Sequence, residues 1–358
     1  MITPQTNATL ETIAQSLLRS ERLIVCGHVR PDGDCLGSTL GLSWALRAIG
    51  KDVTPLLASG DEVDEGMRFL PLWEDMVPAK ALLEEMGGAK PEEPMDCTFV
   101  CVDVPNEDRL GKSACEIRSR CSRTITIDHH ANPDRMSDLS YTDPDATSTT
   151  MLVWELCKRL GFDPVTDDVS ELATCVYTGL STDSGSFMHQ NVGPRTFELA
   201  GELVMAGADP GEIARMLYQQ RSIASLRMDA KAIDNAILGT SDDGLRYAIG
   251  YVTAEEVEAA GADYADLDEC VNVLRSIGDV DVVCMLKEGD GIVRGSLRSK
   301  DGTDVNEMAG ILGGGGHKAA AGFSYSGTME QAIAAVEGIL SGVSDSSEAA
   351  SDVVSMNA

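Results

Sequence analysis

From Glu21 to about Gly193 the chain alternates short apolar runs with segments of helical periodicity. The runs RLIVCGH, DVTPLLA, CTFVCVD and TITIDHH are rich in residues that favour buried strands. After the first run, CLGSTLGLSWALRAIG has apolar residues at helical spacing and ends at Gly50. Continuous apolar strands separated by helices are typical of a parallel sheet covered on both faces. We therefore predict an α/β fold with an N-terminal parallel-sheet domain that carries helices on both faces.

The rest of the pattern predicts further helices and then a smaller αβ domain, joined to the first across a cleft. The helices are expected at Ser148–Leu160, Val169–Thr178, Thr196–Ala206 and Gly211–Gln219. LRYAIGYV, DVVCMLKEG and GIVRGSLRS predict strands, and a turn around Gly289–Gly291 would pair the last two. The predicted parts are a first domain 1–220, a connecting segment 221–244, a second domain 245–342 and a disordered acidic tail 343–358.

Composition narrows the class of protein. The chain has 58 acidic against 28 basic residues, a formal net charge of -30, and long nucleic acids are therefore not expected as partners. Ten cysteines without a CxxC pair argue against a disulfide framework or a zinc knuckle. No apolar run approaches the roughly 18 residues of a membrane helix, and the N-terminus does not resemble a signal peptide. We expect a cytoplasmic protein without a membrane partner, and the oligomeric state stays open, a homodimer included.

The first motif that carries chemistry is HVRPDGD, with His28, Asp32 and Asp34. Its proline and glycine predict a turn, in which the three side chains can converge on one point. Taken alone, the motif fits a second interpretation, in which Asp32 or Asp34 caps the following helix by accepting from free backbone N–H groups.

Three further motifs follow other predicted elements. Asp103 ends the run CTFVCVD, and Asp128, His129 and His130 end TITIDHH. Two adjacent histidines point in different directions, so one is expected to bind metal and the other to face the substrate. Asp183 lies in TGLSTDSGSF, which we predict as a loop of small residues after a helix. In parallel sheets the ligand lies beyond the carboxyl ends of the strands, where these residues fall.

Together the four motifs predict a site for two divalent cations. Oxygen-rich sites with one imidazole for each ion suit Mn²⁺ or Mg²⁺ rather than zinc, and histidine favours Mn²⁺. Two such ions about 3.5–4 Å apart can activate a bridging water and stabilise the charge that develops during phosphoryl displacement.

The second predicted domain holds a basic island and a run of glycines. Arg294, Arg298 and Lys300 lie close together in GIVRGSLRSK, and LGGGGHKAAAGF follows with Gly313–Gly316. Glycines leave backbone N–H groups accessible to an anion, so we expect a phosphate or nucleotide clamp. A flexible loop, or a glycine cap on the helix predicted at Val305–Leu312, is the alternative.

These motifs, in this order, resemble those of the DHH phosphoesterase superfamily, which takes its name from the triplet found here at Asp128, His129 and His130. HVRPDGDCLGS, VDVPNEDRLG, the triplet and TGLSTDSGSF are similar to its four N-terminal motifs. SLRSKDGTDVNEMAGILGGGGHKAAAGF is similar to its C-terminal DHH-associated domain. Within the superfamily, length and motifs look like the NrnA-type enzymes, which degrade short oligoribonucleotides and dephosphorylate 3'-phosphoadenosine 5'-phosphate.

The resemblance implies roles for the motif residues. Two Mn²⁺ ions, with Mg²⁺ or Co²⁺ as substitutes, would be held by two ligand sets that share Asp103 as a bridge: His28, Asp32 and Asp103, and Asp34, Asp103, His129 and Asp183. Asp128 would orient an imidazole by hydrogen bond. His130 would act with Asp103 and Arg298 in catalysis, by stabilising or protonating the scissile phosphate. The substrate would be bound by a further group: Ser296, Arg298, Gly314, Gly315, Gly316, His317, Arg109 and Arg195.

The implied function is hydrolysis of short RNA or DNA oligonucleotides, including dinucleotides such as pGpG or pApA, and of nucleoside bisphosphates. The main alternative is a RecJ-like exonuclease on longer single strands, which usually carries an additional nucleic-acid-binding module with basic and aromatic residues. With 4% aromatic residues and no room for another domain, the chain does not favour it. A pyrophosphatase, a membrane-bound cyclic-dinucleotide phosphodiesterase and a non-catalytic nucleotide sensor are weaker alternatives.

Overall fold

The computed structural model describes residues 6–58, 63, 65–87, 94–131, 135–289, 291–300 and 302–342. The chain divides into two compact units, Met1–Gln220 and Arg221–Ala358. The tail 343–358, predicted to be disordered, lies outside the described residues. In the part of the chain that the structure describes, no helix is long and apolar enough to cross a membrane.

The first unit is built on a six-stranded sheet in the order β3-β2-β1-β4-β5-β6, and every neighbouring pair is parallel. Its strands are β1 Arg22–Cys26, β2 Asp52–Leu57, β3 Val77–Pro78, β4 Met95–Val102, β5 Cys121–Asp128 and β6 Leu139–Thr142. The predicted parallel sheet is confirmed. It forms because β1 and β4 beyond their first one or two residues, and the second half of β5, are buried at every position, as strands covered on both faces are, and their side chains are mostly apolar or small.

Helices cover both faces of this sheet. They are α1 Leu10–Arg19, α2 Gly33–Ala48, α3 Ala79–Glu85, α4 Glu107–Leu110, α5 Lys112–Arg118, α6 Thr149–Arg159, α7 Ser170–Asp183, α8 Pro194–Met205 and α9 Pro210–Tyr218. Alternate residues of β4 point to opposite faces: Val100 and Val102 pack with α1, α6 and α7, whereas Phe99 and Cys101 pack with α3 and α5. The sheet therefore has an apolar core on each side.

One predicted boundary was wrong. We expected a helix to end at Thr178 and Asp183 to follow in a loop, but α7 continues through TGLSTD and ends at Asp183. The helix continues through this segment because its small residues let α7 pack closely on α2. A Cβ atom on Gly37 of α2 would lie 2.4 Å from the carbonyl oxygen of Cys175. The close packing holds the end of α7 beside the beginning of α2.

The second unit is a six-stranded sheet in the order β11-β12-β10-β9-β8-β7. Its elements are α10 Ile223–Asp234, β7 Ile237–Thr240, β8 Arg246–Val252, α11 Ala254–Ala260, α12 Cys270–Arg275, β9 Val282–Gly289, β10 Ile292–Ser299, α13 Val305–Ile311, β11 Gly315–His317, β12 Ala320–Tyr325 and α14 Met329–Leu340. Strands β9 and β10 pair antiparallel with Ile292 opposite Gly289, as the pattern predicted. The segment 221–244, predicted as a connection, contributes α10 and β7 to this unit.

Candidate metal centre

The candidate site lies where three neighbouring parallel strands end. His28 follows β1, Asp103 follows β4 directly, and Asp128 is the last residue of β5, with His129 and His130 after it. The strands β1, β4 and β5 are adjacent in the sheet, so their carboxyl ends place these side chains together. The structure thus assembles at one edge the residues that were predicted from strand ends.

Asp103 lies at the centre of this group. It is buried, its Oδ2 lies 3.5 Å from His28 Nε2, and its Oδ1 lies 3.7 Å from His129 Nε2. The hydroxyl of Thr149 donates to Oδ1 over 2.9 Å and fixes the plane of the carboxylate. The backbone of Asp103 has φ +60°, a left-handed conformation that is uncommon for residues other than glycine and clusters at functional sites. Each carboxylate oxygen therefore faces a different imidazole, as a bridging ligand requires.

His28 presents Nε2 to two carboxylates. Its Nε2 lies 3.7 Å from Asp32 Oδ2 and its Nδ1 lies 2.9 Å from the carbonyl oxygen of Val29. When Nδ1–H donates to that carbonyl, the lone pair of Nε2 points at Asp32 and Asp103, which is the arrangement of a metal-binding imidazole. Arg109 Nη2 lies 3.1 Å from the same Nδ1 and can donate to it only in the other tautomer, with the proton on Nε2; the contact brings this predicted substrate residue to the site.

Asp32 fulfils both interpretations of the HVRPDGD motif. Its Oδ1 accepts from the backbone N–H groups of Asp34 and Cys35 and caps α2, while Oδ2 faces His28. The thiol of Cys35 accepts from the backbone N–H of His28 over 3.1 Å. Sequence reasoning had assigned no role to Cys35, and nothing in the motif marks it apart from its place in the first turn of the helix.

A second group forms around His129. Its Nε2 lies 3.3 Å from Asp183 Oδ2 and 3.9 Å from Asp34 Oδ2, and potential ligand atoms of the three residues lie within 4.8 Å of one another. The Nδ1 of His129 lies 3.3 Å from the carbonyl oxygen of Ala146, which again leaves Nε2 for a cation. The sequence-predicted residues Asp34, His129 and Asp183 are therefore together.

Asp34 is held by the start of α6. It is fully buried, and the backbone N–H groups of Thr149 and Thr150 donate to its two oxygens over 2.6 and 2.9 Å. Gly179 of α7 leaves the room for this carboxylate, since a Cβ atom there would lie 2.8 Å from Asp34 Oδ1. These contacts were missed from the sequence, because Thr149 is distant from Asp34 along the chain and only the fold brings them together.

Asp128 orients His130 rather than His129. Its Oδ1 lies 2.8 Å from His130 Nδ1 and also accepts from the backbone N–H groups of His129 and His130. The side chain of His130 is 40% exposed, against 14% for His129. His130 is therefore the more accessible of the two rings, although its Nδ1 also lies 3.5 Å from Asp103 Oδ1. That one histidine binds metal and the other faces the substrate stays a prediction.

The crowding of carboxylates shows in their pKa values. Burial and the charges of Asp103, Asp183 and Asp32 raise the pKa of Asp34 well above its usual range. Burial, with Asp103 and Asp32, raises the pKa of Asp183 to about 7 against the opposing effect of His129. A buried group of acids is stabilised by a cation among them. Carboxylate oxygens with two imidazole nitrogens are a donor set that fits a divalent ion such as Mn²⁺.

The acidic neighbours also raise the pKa values of two imidazoles, whose charged form they stabilise. Burial lowers the pKa of His28, but hydrogen bonds to Asp103 and Asp32 outweigh it and raise the pKa to about 10. Burial likewise lowers the pKa of His130, and Asp128 more than offsets it, so the pKa rises to about 9. A proton on these rings takes the place of a cation in balancing the acidic cluster.

The structure does not bring Arg195, a residue of the first unit that was predicted to bind substrate, to this group. Its side chain is 60% exposed and lies 3.8 Å from Asp143 Oδ2. The sequence signal for Arg195 was only its position after the fourth motif, and α8 begins at Pro194, so that the arginine is carried on a separate helix.

In the second unit, Ser296 and Arg298 share one face of β10. In the ladder with β12, Ser296 is opposite Gly322 and Arg298 is opposite Ala320, so small residues lie beside them and leave that part of the sheet open. Burial, with the charge of Arg275, lowers the pKa of Arg298. Its guanidinium donates to the carbonyl oxygen of Leu297 over 2.9 Å.

The glycine run does not form the expected nest of free N–H groups. Gly313 has φ +73° and ends α13, and the N–H groups of Gly313 and Gly314 donate to carbonyl oxygens of that helix. The N–H of Gly316 donates to Asn306 Oδ1 over 2.8 Å. The helix-cap interpretation thus holds for the beginning of the run, and Gly315 and Gly316 continue into the edge strand β11 with His317, whose side chain lies outside the described set.

Two family models match the chain. Residues 22–180 match the DHH family N-terminal domain, and residues 245–342 match the DHHA1 domain. The first range covers β1 to β6 and the site residues from His28 to His130, with Asp183 just beyond its end, and the second covers β8 to β12, including Arg298.

Similar proteins match over most of the chain. The bifunctional oligoribonuclease and PAP phosphatase NrnA of Thermus thermophilus is 31% identical over 307 residues, which are 85% of this chain and 84% of that protein. The protein of the same name from Bacillus subtilis is 27% identical over 85% of this chain and 89% of its own. The crystal structure of an exopolyphosphatase-related protein from Bacteroides fragilis has a TM-score of 0.83 and 27% identity, and covers 92% of this chain and 95% of that one.

Proposed function

Because the chain belongs to the DHH family of metal-dependent phosphoesterases, we propose that it is a two-metal manganese enzyme for very short nucleotides. It hydrolyses short oligoribonucleotides, including dinucleotides such as pGpG or pApA, to mononucleotides, and 3'-phosphoadenosine 5'-phosphate to AMP. The observation that carries the two-metal assignment is the Asp103 carboxylate, whose two oxygens face His28 and His129 separately.

The proposed ligands form two sets around Asp103. His28 and Asp32 would hold one Mn²⁺ with Asp103, and Asp34, His129 and Asp183 would hold the other with the same carboxylate. When bound, such ions supply a nucleophilic water at neutral pH and compensate the charge that develops on the phosphate. Support comes from the Nδ1 contacts of both imidazoles, which leave each Nε2 directed into the cluster.

The remaining residues of the site act on the phosphate. His130, oriented by Asp128, uses its exposed Nε2 to hydrogen-bond the scissile phosphate or to protonate the leaving oxygen. Arg109, beside His28, contributes charge to the same phosphate. In the second unit Arg298 and Ser296 bind a phosphate or base of the substrate, a task suited to the planar guanidinium. Gly314–Gly316 and His317 belong to the same subsite, the glycines through their lack of side chains rather than through free N–H groups.

The proposals that the substrate is short and that the protein is cytoplasmic rest on other observations. The relatives named above are oligoribonucleases and PAP phosphatases, and a net charge of -30 opposes a long polyanionic strand. All ten cysteines are free thiols, which is usual in the reducing cytoplasm, and we propose that location.

The test compares four substrates in the presence of Mn²⁺: 3'-phosphoadenosine 5'-phosphate, a labelled RNA dinucleotide, a long single strand and pyrophosphate. We expect turnover of the first two, its loss in Asp103→Asn, and unchanged rates in Asp242→Asn, which removes an equal charge from an exposed turn. Preferred cleavage of the long strand would replace the proposal by a RecJ-like exonuclease. Preferred cleavage of pyrophosphate would make the protein a pyrophosphatase.

A further inference from the structure

Two buried thiols lie in contact at the edge of the first sheet opposite the metal centre. Cys97, near the beginning of β4, and Cys121, the first residue of β5, have Sγ atoms 2.7 Å apart. Their residues are 4% and 9% exposed, and both side chains belong to the apolar cluster under α3 and α5. Neither residue has a role in the proposed hydrolysis.

The backbone places the two cysteines at a distance that a disulfide can span. The strands β4 and β5 are parallel neighbours, and their register shifts between Met95 and Thr98, so that Cys97 lies in the irregular step beside Cys121. The separation of 2.7 Å between the two Sγ atoms is close to the S–S bond length of about 2.05 Å, so a small movement of the side chains brings them to bonding distance.

The surroundings distinguish the two sulfur atoms. The hydrogen bond with Cys121 lowers the pKa of Cys97, burial opposes this, and the charge of Arg22 adds to the lowering. The same hydrogen bond and burial raise the pKa of Cys121. The side chain of Arg22, which supplies this charge, is more than half exposed at the beginning of β1. Cys97 therefore has the greater thiolate character, which is the reactive form.

We propose that Cys97 and Cys121 are a redox pair that forms a reversible intramolecular disulfide with a peroxide as oxidant. The thiolate of Cys97 attacks one oxygen of hydrogen peroxide, an S–O bond forms, the O–O bond breaks and one water leaves after protonation. The sulfur of Cys121 then attacks Cys97, the S–O bond breaks, and a second water leaves with the proton of Cys121. Two thiols lose two electrons and one peroxide becomes two waters.

The disulfide joins strands whose opposite ends carry Asp103 and Asp128. From Cys97 to Asp103 the strand spans about 20 Å at about 3.3 Å per residue, so the bond leaves the metal centre unchanged. It closes a chain loop between β4 and β5, which restricts the unfolded state and raises the melting temperature by about 5–10 °C. The proposal does not depend on the proposed substrates.

The test oxidises the reduced full-length protein with hydrogen peroxide and counts thiols after denaturation. We expect a loss of two thiols from the original ten, a cross-linked peptide pair that contains Cys97 and Cys121, and full recovery with dithiothreitol. The variants Cys97→Ser and Cys121→Ser should lack the cross-link. Cys115→Ser, which removes a more exposed thiol, should keep it and serves as the control.

Several outcomes would overturn the proposal. They are retention of the Cys97 and Cys121 thiols at peroxide concentrations that oxidise Cys115, a cross-link between other cysteines such as Cys26 and Cys101, and a cross-link that persists in Cys97→Ser. Peptide mapping of the unmutated protein decides the matter even where a serine variant does not fold. An oxidised protein with an unchanged melting temperature would refute the stabilising effect of the bond.

Discussion

Replacing Asp183 by asparagine should make the metal-free protein more stable while it destroys the enzyme. Asp183 Oδ2 lies 3.3 Å from His129 Nε2, and the buried carboxylates of Asp34 and Asp103 lie 3.9 and 3.7 Å from the same nitrogen. Without a cation, the ionised form of Asp183 is disfavoured by burial and by its acidic neighbours, which raise its pKa to about 7. Asparagine keeps the size of the side chain and removes the charge.

The magnitude follows from the pKa of Asp183. Folding raises it from 3.8 to about 7, about three units at about 1.4 kcal/mol each, or about 4 kcal/mol when the group is fully ionised. The side chain is 26% exposed, and solvent screening reduces the expected cost to about 2–3 kcal/mol. The stabilising contribution of the protonated group is complete below pH 3.8 and is lost as pH rises to about 7. The advantage of Asp183→Asn should therefore grow between pH 5 and pH 8.

The assay is thermal unfolding in a chelator and in Mn²⁺, with Asp242→Asn as the matched control. In the chelator at pH 8 we expect Asp183→Asn to melt about 5–10 °C above the unmutated protein. Saturating Mn²⁺ should stabilise the unmutated protein, by about 2.7 kcal/mol at a hundred times Kd, and the variant much less. A variant that melts below the unmutated protein in chelator, or gains as much from Mn²⁺, would refute the reasoning.

Three further predictions concern His130, Arg298 and Gly179. His130→Gln should lower kcat by about 10²–10⁴-fold and leave the Mn²⁺-induced rise in melting temperature intact; loss of that rise would make His130 a metal ligand. Arg298→Lys should raise KM about tenfold through loss of a bidentate contact worth about 1.5 kcal/mol, whereas the exposed Arg294→Lys should not, and equal effects would contradict the subsite. Gly179→Ala should displace the carboxylate of Asp34 and so abolish the Mn²⁺-induced rise in melting temperature. Gly201 has open space around it, so Gly201→Ala should retain that rise in the same thermal assay.

The sequence predicts the first sheet and much of the site because both depend on local patterns. Apolar runs such as CTFVCVD can be buried only as strands covered on two faces, and Asp103 falls at the carboxyl end of this run. The pattern also places Asp128 and His129 at the same edge, since parallel strands end together. The convergence of these residues thus follows from strand direction alone.

Features that depend on distant contacts could not be predicted in this way. The helix that ends at Asp183 extends past Thr178 because glycines and small residues pack it on α2, and its small polar residues were typical of a loop. The glycine run was interpreted as an anion nest, but Asn306, ten residues earlier, accepts from Gly316. In both cases the partner that decides the conformation is not visible in the local pattern.

The beginning of α6 explains how so acidic a site persists before a cation binds. Thr149 donates its backbone N–H to Asp34 and its hydroxyl to Asp103, so one residue fixes a carboxylate of the His129 group and the carboxylate shared with His28. Charge-assisted hydrogen bonds and the positive end of the helix offset part of the repulsion between the two acids. They also keep the carboxylates from turning away from each other, which unrestrained side chains of like charge would do. The fold therefore retains the geometry of the site at a cost in stability, and a divalent cation removes that cost.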